Sequence, residues 1–176
     1  AHDSMNLPKN FCEACNRFAH TLTEHCLFVN VAQQKLTHYN ESQTVDLTIS
    51  TSLEGTGQKE GSHKTPLGLH RIYEKIGDGE PEGTVFKGRR PIRFDGKGDP
   101  TALITDRILW LEGLEPGFNC GDDLDSRKRY IYIHGIGDES HLGRPNSKGC
   151  IHVGSEQLFR LYNAVPVGTL VYISEN

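Results

Sequence analysis

The spacing of hydrophobic positions changes near residue 25. Before it, Phe11, Cys15, Phe18, Ala19 and Leu22 recur every three or four residues behind Pro8. This spacing predicts a short amphipathic helix entering from Asn6, its apolar face available to the rest of the molecule. From Cys26 the period becomes two. CLFVNVAQQKLTHYN reads as two short strands around Ala32, Gln33 and Gln34, a hairpin, and VDLTIS as a half-buried strand. LHRIYEKI, ALITDRILWLEGL, RYIYIHGI and GTLVYI are further strand candidates. The late stretch SEQLFRLYNAV returns to helical spacing: Leu158, Phe159 and Tyr162 share a face, Ser155 is the expected N-cap, and Pro166 lies just beyond the end.

Between these elements, TSLEGTGQKEGSHKTPLG holds four glycines and a proline in 18 residues. That composition predicts a long loop, and loops of such length are usually functional or disordered. Several strands, two short helices and glycine-rich connections predict a mainly β fold with helices packed on sheets. The predicted division is a helical extension over residues 1–24 and one main domain over residues 25–176.

At 176 residues the chain has the length of one domain with its own core. A net charge of -4 disfavours nucleic-acid binding, which depends on an excess of Lys and Arg. Two basic clusters, Arg89, Arg90 and Arg93, and Arg127, Lys128 and Arg129, read as solvated loop charges, with an anion contact as the alternative. No apolar run approaches the roughly 20 residues needed to cross a bilayer. The chain opens AHDSMNLP without a Met start, as expected if a secretory leader has been removed.

Five cysteines, at positions 12, 15, 26, 120 and 150, leave one over if the others pair. Cys150 is the candidate for a free, working thiol. It follows Gly149 at the end of the loop GIGDESHLGRPNSKG, where a side chain is accessible and a neighbouring glycine allows close substrate approach. The amides of Lys148, Gly149 and Cys150 are candidate oxyanion donors. A thiol with an ordinary pKa is mostly protonated at neutral pH and needs a base. His134, at the end of a predicted strand and followed by Gly135, is the leading candidate; His141 and His152 lie nearby. His152 shares a face with Cys150 if that segment is extended. A buried cysteine beside an ordinary strand histidine is the competing reading.

IHG followed by a loop ending in SKGCIHV resembles the signature of the L,D-transpeptidase catalytic domain family (YkuD type) of bacterial cell-wall enzymes. KTPLGLHRI, LTISTS, ITDRILWLEG and VPVGTLVYI extend the resemblance over residues 26 to 174. It implies a β-sandwich of mixed sheets with a packed helix, working on peptidoglycan stem peptides in the periplasm or outside the cell. Cys150 would attack the bond before the terminal D-alanine of a tetrapeptide stem, form a thioester and pass the acyl group to an amine. His134 would move the protons, with a carbonyl at or near Gly135 orienting its ring. Ser147 would shape the loop, and no metal or organic cofactor is implied. Transfer to water or to a D-amino acid is the alternative outcome of the same thioester. A non-catalytic wall- or zinc-binding module is the alternative from another class.

Two positions depart from the family pattern. Lys148 stands where many members have histidine, and His152 where arginine or asparagine is usual. His152 and His141 are therefore candidate substrate contacts, and His152 suggests a pH dependence near 6 to 7, the usual range of histidine. Elsewhere, Cys12, Cys15, His20, His25 and Cys26 could be drawn as a zinc site. Disulfides among Cys12, Cys15, Cys26 and Cys120 are the preferred expectation for an exported enzyme. Asp122, Asp123 and Asp125 read as turn residues rather than a calcium loop. Trp110 and Tyr132 read as core.

Overall fold

The computed structural model describes residues 5–176, so the first four residues of the predicted extension lie outside the described residues. The stretches of period two become strands β1 (Cys26–Asn30), β2 (Lys35–Tyr39), β3 (Thr44–Ser50), β4 (Gly68–Ile76), β7 (Thr105–Gly113), β8 (Tyr132–Gly135) and β10 (Leu170–Ser174). Three short strands join them: β5 (Val85–Lys87), β6 (Arg90–Arg93) and β9 (Ile151–Val153). The helices are α1 (Lys9–Arg17) and α2 (Ser155–Ala164).

Alternation decides what each strand buries. Leu27 and Val29 of β1, Leu109 and Leu111 of β7, Ile133 of β8, Ile151 and Val153 of β9, and Val171 and Ile173 of β10 all enter one central core. Their neighbours point the other way. Cys26, Phe28 and Leu170 meet Phe11, Ala14 and Cys15 of α1. Ile108, Trp110 and Tyr132 form a third cluster with Phe86, against which Cys150 packs.

The expected sandwich of mixed sheets is replaced by one continuous sheet in the order β4-β10-β1-β2-β3-β9-β8-β7-β5-β6, with β4 also paired to β7. Eight strands thus close on themselves in a barrel-like ring, and the β5–β6 hairpin extends from it. The β4–β7 pairing makes the closure. The two nine-residue strands β4 and β7 pair from His70↔Gly113 to Ile76↔Ile108, with a bulge between Ile72 and Glu74 that bends the ladder. Strands paired on both sides present no open edge for further pairing. Helix α2 lays Leu158, Leu161 and Tyr162 into the central core.

Two helix ends differ from expectation. Helix α1 stops at Arg17 because Ala19 takes a left-handed backbone (φ 58) and the His20 N–H returns to the Cys15 carbonyl at 2.9 Å. Phe18 and Leu22 still pack on the α1 cluster. In α2 the N-cap is Gly154, and Ser155 is the first helical residue. Its N–H donates to Glu139 Oε2 at 2.8 Å, so a carboxylate from a distant loop satisfies one of the helix's free amides.

The expected disulfides are not formed: all five cysteines are free thiols. Burial, with Cys26 and Cys12 nearby, pushes the Cys15 thiol up to about 12, and burial also raises Cys26. The Cys26 thiol donates to the Thr23 carbonyl at 3.4 Å. Among the described residues no group of three or more His, Cys, Asp or Glu is arranged to hold a metal ion, so the early Cys and His residues form no zinc site. His25 pairs instead with His38, Nδ1 to Nε2 at 2.8 Å.

Candidate active site

Strand β8 lies parallel to β9, with Ile133 opposite Ile151 and His134 opposite His152. Continuing that register by one pair sets Cys150 beside Tyr132. Because Ile133 and Ile151 take the core, Tyr132, His134, Cys150 and His152 are displayed together on the opposite face. Loop residues 136–149 return the chain to this face, so Cys150, just ahead of β9, comes to lie diagonally across from His134, 16 residues earlier in sequence.

The loop ahead of Cys150 is fixed by side-chain hydroxyls. Ser147 Oγ donates to the Cys150 carbonyl at 2.6 Å and accepts the Gly149 N–H at 3.1 Å. Thr65 Oγ1 donates to the Gly149 carbonyl and accepts the Ser52 N–H, both at 3.0 Å. The amides of Asn146 and Ser147 both donate to the Thr51 carbonyl at 2.9 Å. Gly149 has φ +126, a conformation that L side chains rarely adopt, and a Cβ there would stand 3.3 Å from the Lys64 carbonyl. This loop therefore requires glycine before the cysteine.

The thiol is half-buried. Its sulfur accepts the Tyr132 N–H and donates to the Tyr130 carbonyl, each at 3.4 Å. Burial pushes the thiol up to about 11, opposed by the Tyr132 amide and the Arg129 cation. Tyr130 holds a left-handed backbone (φ 57), a strained conformation for an aromatic residue, at the carbonyl that receives the thiol proton.

His134 is 3% exposed. Its Nδ1 lies 2.6 Å from the Gly135 carbonyl, which can only accept, so Nδ1 carries the proton and Nε2 is left as the basic nitrogen. Gly135 is itself required by crowding, since a Cβ would stand 2.6 Å from Asp106 Oδ2. Burial holds the imidazole down at about 4, against the opposing effect of the Gly135 carbonyl. With a thiol this weak and an imidazole this poorly basic, the resting pair is neutral. No hydrogen bond joins the two side chains in this state, and the thiol proton is engaged by Tyr130.

The other sequence candidates fall differently. His141 and His152 are each 7% exposed and bond to one another, Nε2 to Nδ1 at 3.1 Å. Neither lines the hollow at Cys150; they stand behind it, on the far side of His134. His152 stacks behind His134 with ring centroids 4.9 Å apart. Burial first, then His134 and His141, hold it down at about 2, so it stays neutral through the range of pH 6 to 7 in which its titration was expected. Lys148 is exposed on the rim. The Gly149 amide, one of the three candidate oxyanion donors, already donates to Ser147 Oγ.

Three residues had no chemical signal in the sequence. Thr65 anchors the cysteine loop. Tyr132 offers its amide to the sulfur, a role available to any residue one pair along from His134. Arg129 is no solvated charge: its guanidinium donates to the carbonyls of Gly57, Gln58 and Lys64 and so clamps the long loop beside the thiol. That loop and Cys150 bound a shallow hollow of about 260 Å³, lined by Glu60, His63, Lys128, Arg129, Tyr130 and Lys148 among others. Three cations to one carboxylate make it locally positive on a chain of net negative charge. In the acidic turn, Asp125 accepts the amides of Gly121 and Lys128 at 2.9 Å, which accounts for that carboxylate without a cation. Trp110 and Tyr132 are buried, at 8% and 3% exposure.

Comparison with known proteins follows the same lines. A family model described as the L,D-transpeptidase catalytic domain (YkuD) matches residues 24–173. Among solved structures, an L,D-transpeptidase from Xylanimonas cellulosilytica is similar at 16% identity, over 88% of this chain and 62% of that one, with a TM-score of 0.51. One from Mycobacterium smegmatis is similar at 14% identity, over 86% and 58%, with a TM-score of 0.51. L,D-transpeptidase 3 from Mycobacterium tuberculosis, in complex with a faropenem-derived adduct, is similar at 14% identity, over 86% and 60%, with a TM-score of 0.54. This chain therefore spans about three-fifths of the length of these structures. No curated protein matches it.

Proposed function

The chain belongs to the YkuD family of L,D-transpeptidase catalytic domains, and from that premise we propose that it is a cysteine-dependent acyltransferase acting on peptidoglycan stem peptides in the cell envelope. The observation that carries the reading is the shared face of β8 and the start of β9. There a thiol bounded by the Tyr132 amide and the Tyr130 carbonyl stands diagonally across from an imidazole whose Nδ1–H is held by Gly135. The extension with α1 serves as a cover for the outer face of β1, β4 and β10. No helix of the described residues is long and apolar enough to cross a membrane.

The proton bookkeeping follows from the neutral resting pair. As substrate enters, the thiol turns from the Tyr130 carbonyl to His134 Nε2 and gives up its proton. Sulfur forms a bond to the carbonyl carbon of the third stem residue, and the carbonyl oxygen takes the negative charge. The amides of Lys148 and Cys150 would receive that charge, with the Tyr132 amide beside the sulfur. As the tetrahedral centre collapses, the bond to D-alanine breaks and its nitrogen leaves with the proton from His134. A thioester remains on Cys150. An acceptor amine then gives a proton to His134 and attacks the thioester, and the departing sulfur recovers that proton.

The reading is tested by incubating the protein with purified disaccharide-tetrapeptide and identifying products by mass, with Cys150→Ala as the control. The expected product is a cross-linked dimer lacking one D-alanine. Tripeptide alone would mean that water takes the acyl group. Unchanged tetrapeptide under all conditions would contradict the proposed activity.

A further inference from the structure

We propose that Arg89, on the turn between β5 and β6, is an anchor for a carboxylate of the donor stem peptide. This deepens the substrate reading above and rests on it. Three observations carry the inference.

Arg89 is held in place before any ligand arrives. Its guanidinium lies over the Trp110 ring at 4.6 Å and the Tyr130 ring at 5.2 Å, and Nη1 donates to the Tyr132 hydroxyl at 3.1 Å. Stacking on two rings and one hydrogen bond fix the plane of the fork and remove most of the rotamer entropy that a flexible cation loses on binding. Lys128 and Lys148, the exposed cations of the adjoining hollow, have no comparable restraint.

Its charge is also unspent. Arg71, Arg93 and Arg160 are engaged by Glu112, by Asp95 and Asp99, and by Glu156. Arg89 forms no ion pair among the described residues, and Glu74, the carboxylate whose field it feels, lies beyond ion-pair distance. With the side chain exposed and one of five N–H groups committed to Tyr132, the rest of the fork is open to solvent.

The position suits a substrate group and not a structural one. The two tyrosines that hold Arg89 are the two that bound the sulfur, Tyr130 through its carbonyl and Tyr132 through its amide. The cation therefore lies about one tyrosine side chain from the nucleophile. A peptide residue spans roughly 3.3–3.6 Å of extended chain, so a carboxylate within two or three residues of the scissile carbonyl reaches that distance. A planar fork accepts a carboxylate by two parallel hydrogen bonds, which fixes orientation as well as charge.

The test uses the full chain carrying Cys150→Ala, which binds stems without turning them over, with and without Arg89→Ala. Dissociation constants are measured by calorimetry for three tetrapeptide stems: free acid, amidated at the C-terminus, and amidated on the third-residue side chain. Arg89→Ala is expected to weaken the free-acid stem by about 10- to 100-fold, and to have no effect on one of the two amides, which identifies the anchored carboxylate. Arg89→Lys should fall between the two. Equal weakening of all three stems, or none, would overturn the proposal and make Arg89 a staple for the hairpin. If the Cys150→Ala chain with Arg89 intact binds no stem, the peptidoglycan reading itself fails, and the anchor with it.

Discussion

His134→Gln is expected to lower kcat/KM by about 10²- to 10⁴-fold, the span usual for loss of a general base, while leaving the intrinsic reactivity of Cys150 nearly unchanged. The second half of that expectation comes from the resting electrostatics. A thiol pushed up to about 11 is roughly 0.01% ionised at pH 7, against a few per cent for an ordinary cysteine. Alkylation of wild-type Cys150 by iodoacetamide should therefore be at least about 100-fold slower than that of a free thiol at pH 7. It should climb about tenfold per pH unit toward pH 11. Because His134 is held near 4, it donates no charge that would lower the thiol, and removing it should leave that profile in place. A preformed thiolate–imidazolium pair would behave oppositely, with rapid alkylation at pH 5 to 7 that collapses in His134→Gln. Glutamine is the informative replacement because it keeps a neutral polar group near the Nε2 position while offering no basic nitrogen.

The second large effect is acid unfolding. Burial holds His70 and His134 down at about 4 and His152 at about 2. His70 is fully enclosed, its Nδ1–H donating to the Gly68 carbonyl at 2.9 Å and its Nε2 accepting from Ser126 Oγ at 2.8 Å. The folded pKa of each group lies below the unfolded value near 6.5. Above pH 6.5 neither state binds the proton, and these groups add no pH dependence. Below it the unfolded chain takes up protons that the native state refuses, so stability falls with pH until about pH 4, where native His70 and His134 begin to protonate. Each proton is worth about 1.4 kcal/mol per pH unit, so these three remove about 4 kcal/mol per unit in the lower part of that window, and His38, held down at about 4 by burial and by His25, adds a fourth proton. Against a typical total of about 5–15 kcal/mol, the fold should be lost between about pH 5 and pH 4. Urea titrations at stepped pH measure this directly. His70→Gln, where the chain folds, should reduce the slope by about one proton. A stability that stays flat down to pH 4.5 would contradict the assigned burial.

What the sequence made legible and what it hid have separate physical causes. RYIYIHGI and SKGCIHV singled out Cys150 and His134 as candidates because period-two alternation and two glycines are local properties, whereas the face the two share comes from the β8–β9 register, which neither stretch shows by itself. The loop TSLEGTGQKEGSHKTPLG was legible as irregular, but its partners were not. The hydroxyl of Thr65 and the clamp from Arg129 depend on contacts between segments more than 60 residues apart. Strands β5 and β6 escaped notice because VFK and RPIR are three and four residues long and β6 is largely exposed, leaving no alternation to read. Closure of the sheet depends on β4 meeting β7, a pairing that neither strand's pattern announces. Arg89 and Arg129 looked alike as members of basic clusters. Their different roles come from what surrounds each: two aromatic rings and a phenol around Arg89, three carbonyls around Arg129. Counting cysteines suggested disulfides, but a count carries no geometry, and all five thiols are free in the fold. His152 was read from its free-solution titration, and burial against two other imidazoles removed that behaviour.

Rapid quenching during turnover of the tetrapeptide, followed by intact-protein and peptide mass analysis, shows whether Cys150 carries the acyl group. The expected result is a hydroxylamine-labile adduct with the mass of the stem less its terminal D-alanine, mapped to Cys150 and missing from Cys150→Ala. An adduct on another residue, or turnover that persists in Cys150→Ala, would contradict it.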